Sequence, residues 1–225
     1  PSFCQSAIVV PKGSIQLENG TLYQYFPHGV NYFDIPETQI RLGLLKHTEL
    51  QVFTPNYTLI NDPHQKVING VTDLDELGIK QELLNTKRFQ LALIAAVNVP
   101  TGNKYFQGSG TQPVIRLPYA IPLGRGFWFY GMESIGLINN GHDLLFQPFA
   151  MLQKNFGLKY SVFAEYGGFY AHKQHSQQIA HFGAEYRPTR NHQIDLHLGT
   201  GMNRSSPKIL IGAGYSYRFD GLPWN

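Results

Sequence analysis

The sequence predicts an all-β chain folded as a transmembrane, antiparallel, up-and-down β-barrel of about twelve strands, and three observations carry that expectation. The first is an alternation near the end of the chain. Ile209, Ile211, Ala213, Tyr215, Tyr217 and Phe219 share one face of an extended segment, while Lys208, Leu210, Gly212, Gly214, Ser216 and Arg218 share the other. A strand needs this pattern when hydrocarbon lies on one side and a polar lumen on the other. The second is composition: 23 glycines, 13 tyrosines and 15 phenylalanines accompany only 15% charged residues, well below the usual quarter. Mean hydropathy is nevertheless −0.23, and the longest apolar run, 91–97, is far too short for a membrane helix. The third is a rhythm of connections, short then long, which a soluble β-sandwich has no reason to keep.

Residues 1–13 are irregular and carry Pro1 and Pro11, so they are set apart as a segment that either plugs the barrel or lies in the periplasm. The barrel is expected to span 14–219, with 220–225 as a tail. From Ser14, Ile15, Leu17, Thr21, Tyr23 and Tyr25 alternate with Gln16, Glu18, Gly20 and Gln24. The stretch 27–37, with Pro27, Gly29 and Pro36, reads as a long loop. Strands follow at 38–45, with Ile40, Leu42 and Leu44 opposite Gln39, Arg41 and Gly43, and at 49–54, with Leu50 and Val52 outward. A second long polar loop is expected over 55–71.

The next pair, 73–84 and 88–99, turns at 85–87. Leu77, Ile79 and Leu83 oppose Glu76, Gly78, Lys80 and Glu82; Phe89, Leu91, Leu93, Ala95 and Val97 oppose Gln90, Ala92, Ala96 and Asn98. In the pair 112–123 and 126–138, Ile115, Leu117, Tyr119, Ile121 and Leu123 form one outer face. Trp128, Tyr130, Met132 and Ile138 form the other, with Arg116 and Glu133 pointing inward. Pro113, Pro118 and Pro122 weaken the first of these strands, because proline cannot donate to a ladder.

The pairs 143–155 with 158–170 and 177–188 with 192–202 alternate cleanly, and the strand 208–219 closes the series. Short turns near 47, 86, 125, 156 and 190 alternate with longer connections near 31, 63, 106, 140, 174 and 205. An even-stranded barrel puts both termini and every tight turn on the periplasmic side.

The net charge of +3 is small and dispersed, which excludes a phosphate-tracking nucleic-acid surface. Cys4 is the single cysteine and forms no internal disulfide. No signal peptide is visible at the start, and an exported protein would have lost it.

Several segments resemble the MetA-pathway phenol-degradation family of outer-membrane proteins. They are Pro1-Ser2-Phe3 with the stretch 10–20, Asp73-Leu74 through Gly78-Ile79-Lys80-Gln81, Val99-Pro100-Thr101-Gly102, Phe163-Ala164-Glu165-Tyr166 and the stretch 212–219. Gln5 stands where the family's opening often has an acidic residue. The resemblance implies an integral outer-membrane barrel of a Gram-negative bacterium and a loose link to phenol or other aromatic hydrocarbons. The terminal strand also resembles the signal that barrel-assembly machinery reads through Gly214, Tyr217 and Phe219, although six residues follow Phe219.

The inward parity is rich in ionisable groups: Glu18, Arg41, Glu49, Glu76, Lys80, Glu82, Arg116, Glu133, Lys159, Glu165, Glu185, Arg187, Asp195, His197 and Arg218. In a narrow lumen these must pair or be solvated, so they either brace the barrel or select solutes. Phe149, Phe163 and Phe169 also fall inward, where they line an apolar route or pack on residues 1–13. Most outward aromatics, Tyr160, Tyr166 and Tyr186 among them, fit interfacial girdles.

A barrel hydrolase is the rival reading. Asp195 and His197 share a face near His181 and Glu185, but a serine nucleophile is missing from those strands, leaving Ser216 as a remote partner. His172 and His175 in a loop lack a third metal ligand, and no cofactor is implied. The sequence therefore reads as a monomeric outer-membrane channel for passive uptake of small, aromatic or otherwise hydrophobic solutes, surrounded by lipid and lipopolysaccharide. A closed barrel acting through its 27–37 and 55–71 loops is the alternative, and a soluble β-domain comes third.

Overall fold

In the computed structural model, which describes residues 2–65, 67–172 and 174–222, alternation becomes curvature: the strands from Leu74 onward bury one parity more deeply than the other, and the sheet closes on itself. The strands are β1 (Ile15–Tyr25), β2 (Asn31–Leu45), β3 (Thr48–Phe53), β4 (Tyr57–Asn61), β5 (Ile68–Val71), β6 (Leu74–Asn85) and β7 (Gln90–Val99). They continue with β8 (Gln112–Gly124), β9 (Phe127–Ile138), β10 (Asp143–Phe156), β11 (Tyr160–Ala171), β12 (Gln177–Thr189), β13 (His192–Gly201) and β14 (Ile209–Phe219). Twelve of them form a closed antiparallel barrel in chain order, sealed where β1 pairs with β14 from Ile15↔Phe219 to Tyr25↔Ile209. The remaining two, β4 and β5, form a hairpin that pairs with the first half of β2 and continues the wall beyond β3.

Closure removes the unpaired edges that an open sheet would expose. Outward positions such as Leu196, Leu198, Ile194 and Ile211 are exposed, as a lipid-facing band requires. Rings cluster outside near the turn rim, where Tyr160 stacks on Tyr186 at 5.0 Å and His192 lies 4.6 Å from Tyr217. The tail returns to the same rim: the Leu222 amide donates to the Gly13 carbonyl. Beside it, hydrogen bonding from Arg218 holds the Asp220 carboxyl below its ordinary range. Pro1 and 223–225 lie outside the described residues.

Four expectations are corrected. The 27–37 loop is largely strand: β2 starts at Asn31 and pairs with β1 up to Tyr25↔Asn31, past a register shift that Ile35 and Pro36 absorb. The 55–71 loop contains the β4–β5 hairpin. Lys159 sits in the exposed β10–β11 turn rather than in the lumen. The outer and inner faces of β9 are exchanged: its register sets Ser134 opposite inward Arg116 and Glu133 opposite outward Leu117. Trp128, Tyr130 and Met132 therefore face the lumen, Ile138 has the same parity, and Glu133 faces out.

Packing explains that exchange. Met132 is needed inside, where it joins Cys4, Phe149, Met151 and Phe163, while on the outer face the ring of Tyr119 lies over Gly131, where any side chain would collide with it. The prolines of β8 leave its pairing with β9 in place but interrupt the β7 ladder at Leu117 and Pro118. Glu133 has no ion-pair partner among the described residues. A lipid-facing Lys or Arg at mid-depth costs ~2–4 kcal/mol and a carboxylate less, so Glu133→Leu is expected to stabilise the barrel by part of that amount. Urea unfolding in lipid vesicles measures it; a destabilised variant would mean the carboxylate is held by a contact.

Candidate functional site: the lumen and the segment that crosses it

Residues 2–10 lie inside the barrel, fastened mainly through backbone groups, and Pro11 and Lys12 lead out to the rim. The amides of Phe3 and Cys4 donate to the two carboxylate oxygens of Glu165, at 2.9 and 2.7 Å. At the other end, the Val10 amide donates to Glu49 at 2.6 Å, and Arg41 and Lys80 both donate to the Ile8 carbonyl, at 3.2 and 3.0 Å. Gln51 donates to the Gln5 side chain in between. Glu49 stands on β3 and Glu165 on β11, six strands apart around a ring of twelve, so the segment spans the lumen from wall to wall.

Side chains complete the dock. The Phe3 ring stacks on Phe149 with centroids 5.6 Å apart, meets Phe169 edge-on at 5.6 Å and lies 4.8 Å from the His181 ring. Cys4 is buried in the cluster of Met132, Met151, Phe149 and Phe163. β11 can receive Phe3 because it carries Gly167 there; a Cβ at that position would stand 2.8 Å from the ring. Gly167→Val is therefore expected to displace the segment with little effect on the barrel wall, seen as faster thiol labelling of Cys4 at unchanged unfolding midpoint.

The inward ionisable groups sort into clusters. Glu49, fully buried, accepts from Arg41 at 2.8 Å and lies 3.6 Å from Lys80, while Arg41 also reaches Glu18 at 3.2 Å. Arg116 pairs with Glu76. Glu82 meets His47, and Glu185 pairs with Arg187 and accepts from Ser161. Arg218 pairs with Asp220 at the rim. His181 is hydrogen-bonded to Glu165 and to His197, each at 2.9 Å. Asp195 is 2% exposed, and neither of its carboxylate oxygens has a hydrogen-bond partner among the described residues. Ser216 stands opposite Gln193, and among the described residues it makes no hydrogen bond to either histidine.

The crossing segment divides the lumen into two chambers. The loop-side chamber, about 500 Å³, is bounded by Phe3, Phe149 and Phe169 and by carboxylates. The turn-side chamber, about 390 Å³, has Arg41, Arg187, Arg190 and Arg218 on its walls. Sequence reasoning placed most of these side chains on the correct face but missed the part played by Phe3 and Cys4. The apolar run Ala7-Ile8-Val9-Val10 is the signal that this segment packs against something, and Ala7, Val9 and Val10 are buried.

A family model described as "Putative MetA-pathway of phenol degradation" matches residues 1–219. The chain belongs to this family. No curated protein sequence matches it. Among solved structures, an outer membrane channel of Pseudomonas putida F1 is similar with TM-score 0.75 and 13% identity, over 97% of this chain and all of that one. The NanC porin (TM-score 0.63, 8% identity, 89% and 98% covered) and the KdgM porin (0.61, 10%, 91% and 99%) share the same barrel. At these identities the likeness is one of fold: this chain and these proteins have a closed antiparallel barrel in common.

Proposed function

We propose that this protein is an outer-membrane channel for the passive passage of small solutes, constricted by residues 2–10. The observation that carries the reading is the pair of chambers separated by a segment held mainly by backbone-to-side-chain hydrogen bonds. Such bonds, made to charged side chains, exchange for water at a net cost of about 1.5–3 kcal/mol each, and they are few, so the crossing is a closure that can yield. The phenylalanines beside it suit a solute with an aromatic or aliphatic body, in keeping with the family's description and with the channel and porins that share the fold. In this reading the rim of tight turns and termini is periplasmic. The protein works as a monomer ringed by lipid and lipopolysaccharide, and the assembly machinery reads Gly214, Tyr217 and Phe219.

Planar-bilayer recording of the folded protein tests the proposal. Discrete conductance steps interrupted by closures are expected. Silence that persists after the segment has been released would overturn it and turn attention to the loop rim, where β2 and the β4–β5 hairpin extend the wall.

A further inference from the structure

The loop-side chamber has an unbalanced lining. Glu18, Glu37, Asp75, Glu76 and Asp195 contribute to it, and Arg116 is the cation on its wall, already paired with Glu76. Glu18 is served by Arg41, which leaves Glu37, Asp75 and Asp195 without a cationic partner among the described residues. Asp195 is the decisive group. It is almost wholly buried, leans over the backbone of Gly214, and among the described residues neither of its oxygens has a partner in hydrogen-bond geometry. The amide of Gln193, two residues back on the same face, bears on it without hydrogen-bond geometry. One oxygen of buried Glu76 is likewise unpartnered. A buried carboxylate without donors is costly, and the cost falls when a cation arrives.

The opposite wall decides what kind of cation. Phe3, Phe149 and Phe169 supply aromatic rings, which attract cations and cover hydrocarbon, and Met132 adds a further apolar side chain. No group of three or more His, Cys, Asp or Glu side chains converges as a metal site would require among the described residues. A volume of about 500 Å³ suits a small organic molecule. We propose that the loop-side chamber binds small organic ammonium ions, with the charged nitrogen donating to Asp195 and the carbon body resting on Phe3, Phe149 and Phe169. The inference deepens the channel reading by naming the solute class.

The test is calorimetric titration of the folded full-length protein with benzylammonium chloride, beside benzyl alcohol and sodium benzoate, which keep the ring and change the charge. The ammonium ion is expected to bind at least about tenfold more tightly than either, because charge-assisted hydrogen bonds exceed neutral ones by that order. Asp195→Asn is expected to weaken it by about tenfold while leaving benzyl alcohol unchanged. Should that variant fold poorly, added potassium chloride serves instead, weakening the ammonium ion selectively. Equal binding of ammonium and alcohol, no binding at all, or an unaltered affinity in folded Asp195→Asn would overturn the proposal. Calorimetry needs no conduction, so a conducting protein that ignores benzylammonium refutes this inference alone. A silent one that binds it refutes the channel alone.

Discussion

Deleting residues 2–8 is expected to raise single-channel conductance several-fold, and replacing Glu165 by alanine is expected to do the same and to expose Cys4 to thiol reagents. Glu165 accepts both the Phe3 and Cys4 amides, and its loss leaves those donors unpaired beside the hydrogen-bonded His181. Each orphaned buried donor costs about 1–3 kcal/mol, so the docked state loses its advantage over an undocked one in which water serves the amides. Cys4, the single cysteine and only 6% exposed when docked, reports this directly. Maleimide should label it slowly in the native protein and at least about tenfold faster in Glu165→Ala, since 1.4 kcal/mol is a tenfold change in an equilibrium. Recording and labelling should change together. Fast labelling with unaltered conductance would mean that the constriction lies elsewhere.

The second large effect is on stability. Glu49→Ala is expected to destabilise the barrel by ~3–5 kcal/mol, the usual cost of stranding buried charge. The carboxylate is fully buried between Arg41 and Lys80, and Lys80 is itself fully buried. Without Glu49 two cations confront each other, and Val10 and Gln51 lose their acceptor. Lys80→Met in the same chain should recover much of the loss, because the stranded charge rather than the missing contact dominates. Urea unfolding of the single and double variants in vesicles measures both. A single variant within ~1 kcal/mol of the native protein would show that water reaches this cluster and screens it.

How much of this was legible in the sequence depended on whether a strand offered one apolar parity or two. On β11, β13 and β14 the Asp, Glu and Arg side chains fall on a single parity, and the faces follow residue by residue: Glu165, Asp195 and His197 are inside as the alternation requires. On β9 the run Phe127, Trp128, Phe129 and Tyr130 is aromatic at both parities, so hydrophobicity does not choose a face. The choice is made by Met132 packing on Cys4, a contact between residues 128 positions apart. Lys159 was miscounted because alternation stops where the chain turns. Proline and glycine between 27 and 37 mark a real irregularity, but one that β2 absorbs by shifting register while it goes on pairing with β1. Pairings across the lumen, such as Arg116 with Glu76 or Phe3 with Phe149, depend on strand stagger and on a segment with no periodicity. Neither is written in local pattern.

The crossing segment reaches the wall through main-chain amides and carbonyls at Glu165, Glu49, Arg41 and Lys80, and its covalent link to β1 begins at Ser14, against the rim. It is therefore a ligand on a leash: the leash keeps its effective concentration near the millimolar range whatever the surroundings contain. A solute that uses the same lumen competes with a peptide that never diffuses away. Transport should then reach half-saturation only at a concentration raised above the solute's own affinity for the lumen, in proportion to how strongly the leashed segment docks.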